Sequence, residues 1–96
     1  MFRTISLVRV TEDADAAAIV GEMRRIYEAE PQISQVTVAL GRRLLDPQWP
    51  QASYSIEMEF ATEDDWRKFR ESPSHEAIHH LTAGKVESMM TTQYDG

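Results

Sequence analysis

Residues 54–81 read YSIEMEFATEDDWRKFRESPSHEAIHHL, an apolar strand that runs directly into a capped helix and then into a Pro-started helix dense in histidine. Tyr54, Ile56, Met58 and Phe60 alternate with Ser55, Glu57 and Glu59. Strand side chains point to opposite faces with period two, so four large apolar groups share one face and the acids take the other. Thr62 follows as a helix N-cap, and Glu63, Asp64 and Asp65 occupy the first turn, where the helix dipole favours acids. Trp66 and Phe69, at helical spacing, supply the buried side of that helix. Ser72 and Pro73 restart it, since Ser is favoured at the cap and Pro at the first helical position; a helix over 73–83 then ends at Gly84.

Working outward, residues 3–10 are β-branched or apolar with little alternation, which predicts a central strand packed on both faces. Asp13 or Asp15 caps a helix whose stripe is Ala16, Ile19, Val20, Met23, Ile26 and Tyr27, running to about Ala29 and stopped by Pro31. Val36, Val38 and Leu40 alternate with Gln35, Thr37 and Ala39 as a half-buried strand, and Gly41 bends the chain into a loop, LLDPQWP over 44–50, that could serve as a lid. A last strand covers about 86–94. The order is β-α-β-β-α-β, an α+β ferredoxin-like split βαβ arrangement with a four-stranded antiparallel sheet. Residues 1–96 fit one domain.

Ten Lys and Arg against sixteen Asp and Glu give a net charge of -6, and no segment carries a basic stripe. That balance excludes nucleic acid and anionic membrane as expected partners. The absence of cysteine removes disulfides, thiol nucleophiles and thiolate metal sites, as suits a reduced cytoplasmic protein. MFRTISLVRV, interrupted by Arg3 and Arg9, offers neither a signal-peptide core nor a membrane span. A chain of this size buries only about 60–65% of its unfolded surface, so burial through association is expected. The sheet face away from the helices carries Ile5, Leu7 and Met90 beside Glu57, Glu59 and Arg9. A second copy packed face to face would cover that patch, with Arg9 as the natural partner of the two acids; a homodimer is expected.

The order of elements, the YSIEMEF strand, the aromatic-containing helix, the P-x-H step at Pro73-Ser74-His75 and the ending VESMMTTQYDG resemble the stress-responsive A/B barrel (Dabb) family over nearly the whole chain. The resemblance implies a dimeric α/β barrel related in shape to antibiotic-biosynthesis monooxygenases and small polyketide cyclases, working with no cofactor. The cyclase branch uses two histidines and a tyrosine in a pocket between sheet and helices. Those places fall at Thr4, Phe69 and His75, of which His75 alone keeps its residue type, with Tyr27 and Tyr54 as candidates to compensate.

His75-Glu76-Ala77-Ile78-His79 also matches H-E-x-x-H, the zinc-protease pattern that sets two imidazoles on one helix face with a glutamate as base. The helix is short, no distal third ligand is identifiable, and no metal site is expected. His79 and His80 read as surface or interface groups. Trp49 can pack on a partner, cover a pocket mouth or rest on its own sheet. Two function classes follow. In one, a small apolar or aromatic molecule binds in a pocket lined by Thr4, Val8, Tyr27, Ile56, Met58, Phe69, His75 and Met89, in a stress-response or secondary-metabolism role. In the other, the same pocket performs cofactor-free cyclisation, isomerisation or oxygenation, with His75 as general base and Tyr27 or Tyr54 as hydrogen-bond donor. A third possibility is a structural dimer whose core leaves no cavity.

Overall fold

A computed structural model describes all residues 1–96. In chain order the elements are β1 (Phe2–Val10), α1 (Ala16–Glu28), β2 (Gln35–Leu40), β3 (Tyr54–Phe60), α2 (Glu63–Arg70), α3 (Pro73–Thr82) and β4 (Val86–Asp95). The strands form one antiparallel sheet in the order β2-β3-β1-β4, which is the ferredoxin-like arrangement. No helix is long and apolar enough to cross a membrane.

Each helix begins where a side chain satisfies an orphan backbone donor. Asp15 Oδ1 accepts from the Ala18 N–H at 3.0 Å, Thr62 Oγ1 from Asp65 at 3.2 Å, and Ser72 Oγ from His75 at 3.3 Å. The Ser72 hydroxyl also donates to the Phe69 carbonyl at 2.6 Å, so one residue closes α2 and opens α3. This junction fixes the angle at which His75 enters the fold. Gly84, at φ 72°, adopts the left-handed conformation that ends α3 and turns the chain into β4.

The core lies between the sheet and the helices. Val8, Val38, Tyr54, Ile56, Met58 and Phe60 meet Ile19, Val20, Met23 and Tyr27 of α1, Phe69 of α2 and Ile78 of α3. The strand parity expected for β3 is observed. β1 is indeed central, but its buried residues, Phe2, Thr4 and Val8, are all on the even side; the expectation of burial on both faces fails because nothing in the chain covers the odd face, where Leu7 is 47% exposed. Leu7 stands opposite Met90, itself 75% exposed, and Ile5 lies between Glu57 and Thr92.

The charged partners on that face also differ from expectation. Arg3, directly across from Glu59 in the β1–β3 register, pairs with it at 3.1 Å, whereas Arg9 lies at the other end of the strand, 3.8 Å from Glu87. Every residue of β4 is exposed: it is an edge strand, and no helix packs closely onto it. The helices crowd toward β2 and β3, with α1 on β2 and α3 beside α1, and the uncovered strip under α3 becomes the functional candidate.

Candidate ligand cavity

Between α3 and the β1–β4 half of the sheet lies a cavity of about 560 Å³. Strand parity builds its floor: Thr4, Ser6 and Val8 from β1, Ile56 and Met58 from β3, and Met89, Thr91 and Gln93 from β4 all point to the helix side. The helices supply Met23 and Tyr27 from α1, Trp66, Phe69 and Arg70 from α2, and His75, Ile78 and His79 from α3. Met58, Met89 and Phe69 line the space without filling it.

All nine residues named from the sequence come together around this cavity: His75, Tyr27 and Tyr54 as candidate acid–base groups, and Thr4, Val8, Ile56, Met58, Phe69 and Met89 as candidate contacts. Phe69 is the hinge of the arrangement. Its ring meets Tyr27 at 5.9 Å between centroids and His75 at 5.2 Å, the latter edge-on at 74°. An aromatic wall thus carries a phenol on one side and an imidazole on the other.

The polar groups on this wall are shaped by burial. Neither the Tyr27 nor the Tyr54 hydroxyl makes a hydrogen bond within the chain, and neither oxygen is sealed from the cavity. Burial pushes both phenols up from their ordinary pKa; at Tyr27 burial is the larger cause and the neighbouring Tyr54 adds to it. Both are therefore neutral O–H donors at physiological pH. His75 is pulled below the usual imidazole value, first by burial, then by His79 and the Arg70 guanidinium, with the Arg70 backbone partly opposing. Its ring is neutral at neutral pH and can accept a proton.

Several lining residues escaped the sequence reading. Ser6, Thr91 and Gln93 form a polar row along the floor: the Ser6 hydroxyl donates to Thr91 Oγ1 at 2.9 Å, and Gln93 Nε2 donates to the same oxygen at 3.1 Å. Ser6 shares the parity of Thr4 and Val8, which was the signal available. Trp66, expected as core, is half-buried against Phe2 at 5.1 Å and reaches the cavity edge with Arg70 above its ring. His79, expected as a surface or interface group, is exposed, and it also packs edge-on against His75 at 4.5 Å and lines the opening.

No third His, Asp or Glu stands with His75 and His79, and Glu76 turns away to His80, 3.8 Å distant on the exposed side of α3. The 44–50 loop contributes no lining residue, so its reading as a lid fails. Trp49 is 58% exposed, and of the three placements considered for it, covering the mouth and resting on its own sheet are both unoccupied. The loop is held by the Gln51 amide, which accepts from the Leu45 N–H at 2.8 Å and donates to the Leu45 and Asp46 carbonyls, and this directs Leu44, Leu45 and Trp49 outward.

No family model matches the chain, and no curated protein does. Solved structures match it over its whole length. A dimeric ferredoxin-like protein of unknown function from Thermobifida fusca superposes with a TM-score of 0.85 at 15% identity, covering 99% of this chain and 90% of that one. A dabb family protein with a ferredoxin-like fold from Mesorhizobium loti gives 0.79 at 14% identity, covering 99% and 95%. A candidate antibiotic biosynthesis monooxygenase from Nitrosomonas europaea gives 0.76 at 19% identity, covering 100% and 98%. The class established is the ferredoxin-like α+β fold, shared with a Dabb protein and with dimeric relatives in shape.

Proposed function

We propose that this chain binds a small, largely apolar or aromatic molecule in the cavity between α3 and the sheet, as a Dabb-like domain spanning residues 1–96 that works as a cytoplasmic homodimer. The observation that carries the reading is a cavity of about 560 Å³ whose wall presents two neutral phenol donors with no partner in the chain. Both hydroxyls open onto the space and are free to donate to an occupant, and an apolar space with a few convergent polar groups is the usual form of a ligand site. The exposed Leu7–Met90 face and the dimeric state of the Thermobifida fusca neighbour support association through the outer face of the sheet. Titration of a fragment set of small aromatic and alicyclic compounds by isothermal calorimetry tests the binding. Micromolar to millimolar ligands are expected, and all should be lost in Met58→Trp, which fills the floor. A set that binds neither protein rejects the reading.

A second reading has an observation of its own. His75 is held neutral in the same cavity as the two phenols, a pairing of base and donors suited to cofactor-free acid–base chemistry, and one neighbour of this fold is a candidate monooxygenase. His75→Ala separates the two. Retained ligand affinity and dimerisation with loss of a measured turnover favours catalysis; unchanged turnover removes His75 from the chemistry.

A further inference from the structure

The chain carries sixteen Asp and Glu residues, and none of them lines the cavity. Its one fully charged lining residue is Arg70, at the junction of α2 and α3 where Trp66, Phe69 and His75 also meet the space. Arg70 has no carboxylate partner. The ion pairs of the chain are Arg3 with Glu59, Arg9 with Glu87, Arg25 with Glu22, Arg67 with Glu63 and His80 with Glu76. The comparison with Arg67 is direct: both guanidiniums lie against the Trp66 ring, at 5.5 and 5.4 Å from its centroid, but Arg67 is neutralised by Glu63 and Arg70 is not. The indole face holds Arg70 in place, so little side-chain freedom is lost when an anion arrives.

We infer that Arg70 is the anchor for a carboxylate, and that the ligand is an aromatic monocarboxylic acid whose ring lies in the cavity while its carboxylate meets the guanidinium at the α2–α3 junction. This rests on the cavity binding a small molecule at all, and it adds the ligand's charge and orientation. A cation meets no counter-charge along the lining and an unpaired arginine at the rim. A dianion such as a phosphate ester would have a single guanidinium to face, on a protein whose net charge is -6. One planar guanidinium matches one carboxylate in bidentate geometry. The ring then lies beside Phe69 and Tyr27, with the Tyr54 and Tyr27 hydroxyls left to donate to any oxygen at its far end.

The test uses three isosteric probes, naphthoate, naphthamide and naphthylmethylammonium, titrated calorimetrically into the purified full chain at neutral pH and low salt, where an exposed rim charge is least screened. Naphthoate should bind about five- to tenfold tighter than the amide, the return expected of one charge-assisted contact at a partly wet site, and the ammonium should bind weakest. In Arg70→Gln the preference for the acid over the amide should vanish; in Arg70→Lys part of it should return. Equal affinities for acid and amide, both abolished by Met58→Trp, would overturn the anchor while the cavity reading stands. The same holds for a preference that survives Arg70→Gln. Binding of none of the three would remove the cavity reading and this inference with it.

Discussion

Replacing Tyr54 by Phe should make the protein more stable and a poorer binder at once. The Tyr54 ring is almost completely buried, and its hydroxyl has no hydrogen-bond partner in the chain. A hydroxyl buried without a partner costs about 1–3 kcal/mol, but this oxygen still touches the cavity, where water recovers part of that cost, so about 1 kcal/mol remains. For a chain of this size 1 kcal/mol corresponds to roughly 4–8 °C in Tm. Tyr27→Phe should act in the same direction. Tyr54 opposes the ionisation of Tyr27 and both phenols line the same cavity, so the double variant should gain less than the sum. A cavity ligand that accepts from Tyr54 should lose about five- to tenfold in affinity, the value of one hydrogen bond. Thermal unfolding at fixed protein concentration, which removes the dependence of Tm on association, reads the first effect, and calorimetric titration of a cavity fragment reads the second. A Tyr54→Phe protein that melts several degrees lower would mean that the hydroxyl holds the fold rather than waiting for a ligand.

Below pH 6.5 stability should decline: the folded His75 has a depressed pKa, so its contribution is full above the unfolded value and is lost as pH falls and the unfolded chain takes up the proton first. Urea midpoints from pH 8 to 5, with His75→Asn losing part of the slope, check this. Gly41→Ala should destabilise by about 1–3 kcal/mol, because a Cβ there would sit 2.7 Å from the backbone oxygen of Ala52, and denaturant unfolding measures it. Thr62→Ala should cost about 1 kcal/mol through loss of the α2 cap, read by the same assay. Met90→Glu, which places a charge in the exposed patch opposite Leu7, should weaken the association proposed through this face, read as a lower sedimentation coefficient, while far-UV circular dichroism is unchanged.

Local chemistry made much of this fold legible. Alternation in residues 54–60 set the faces of β3, and the pairs Thr62 with Asp65 and Ser72 with His75 are caps that operate within three residues, so their partners are fixed by spacing alone. The same alternation put Ile56 and Met58 on the cavity side of β3, while Thr4, Phe69 and His75 were placed by the family resemblance. What escaped depends on register and on neighbours distant in sequence. Whether Arg3 or Arg9 faces Glu59 is decided by how β1 slides against β3, and neither strand states that register. The openness of β4 arises from α1 packing on β2 with α3 beside α1, and so Thr91 and Gln93 gained a cavity above them without any mark in their own segment. Arg70 reads as one more charge in a basic last turn until the Glu63–Arg67 pair shows which guanidinium is spoken for. The exposure of Trp49 likewise follows from the hydrogen bonds of Gln51, two residues on.

The five methionines provide the most direct measurement of the central claim. Met23, Met58 and Met89 line the cavity, whereas Met1 and Met90 lie away from it, Met90 on the opposite face of the sheet. With ¹³C-methyl-labelled methionine, titration of naphthoate followed by two-dimensional NMR should move the Met23, Met58 and Met89 resonances together along one saturating curve and leave Met1 and Met90 in place. Movement of Met90 alone, or no movement of the three cavity methyls at millimolar ligand, would contradict a small-molecule site between α3 and the sheet.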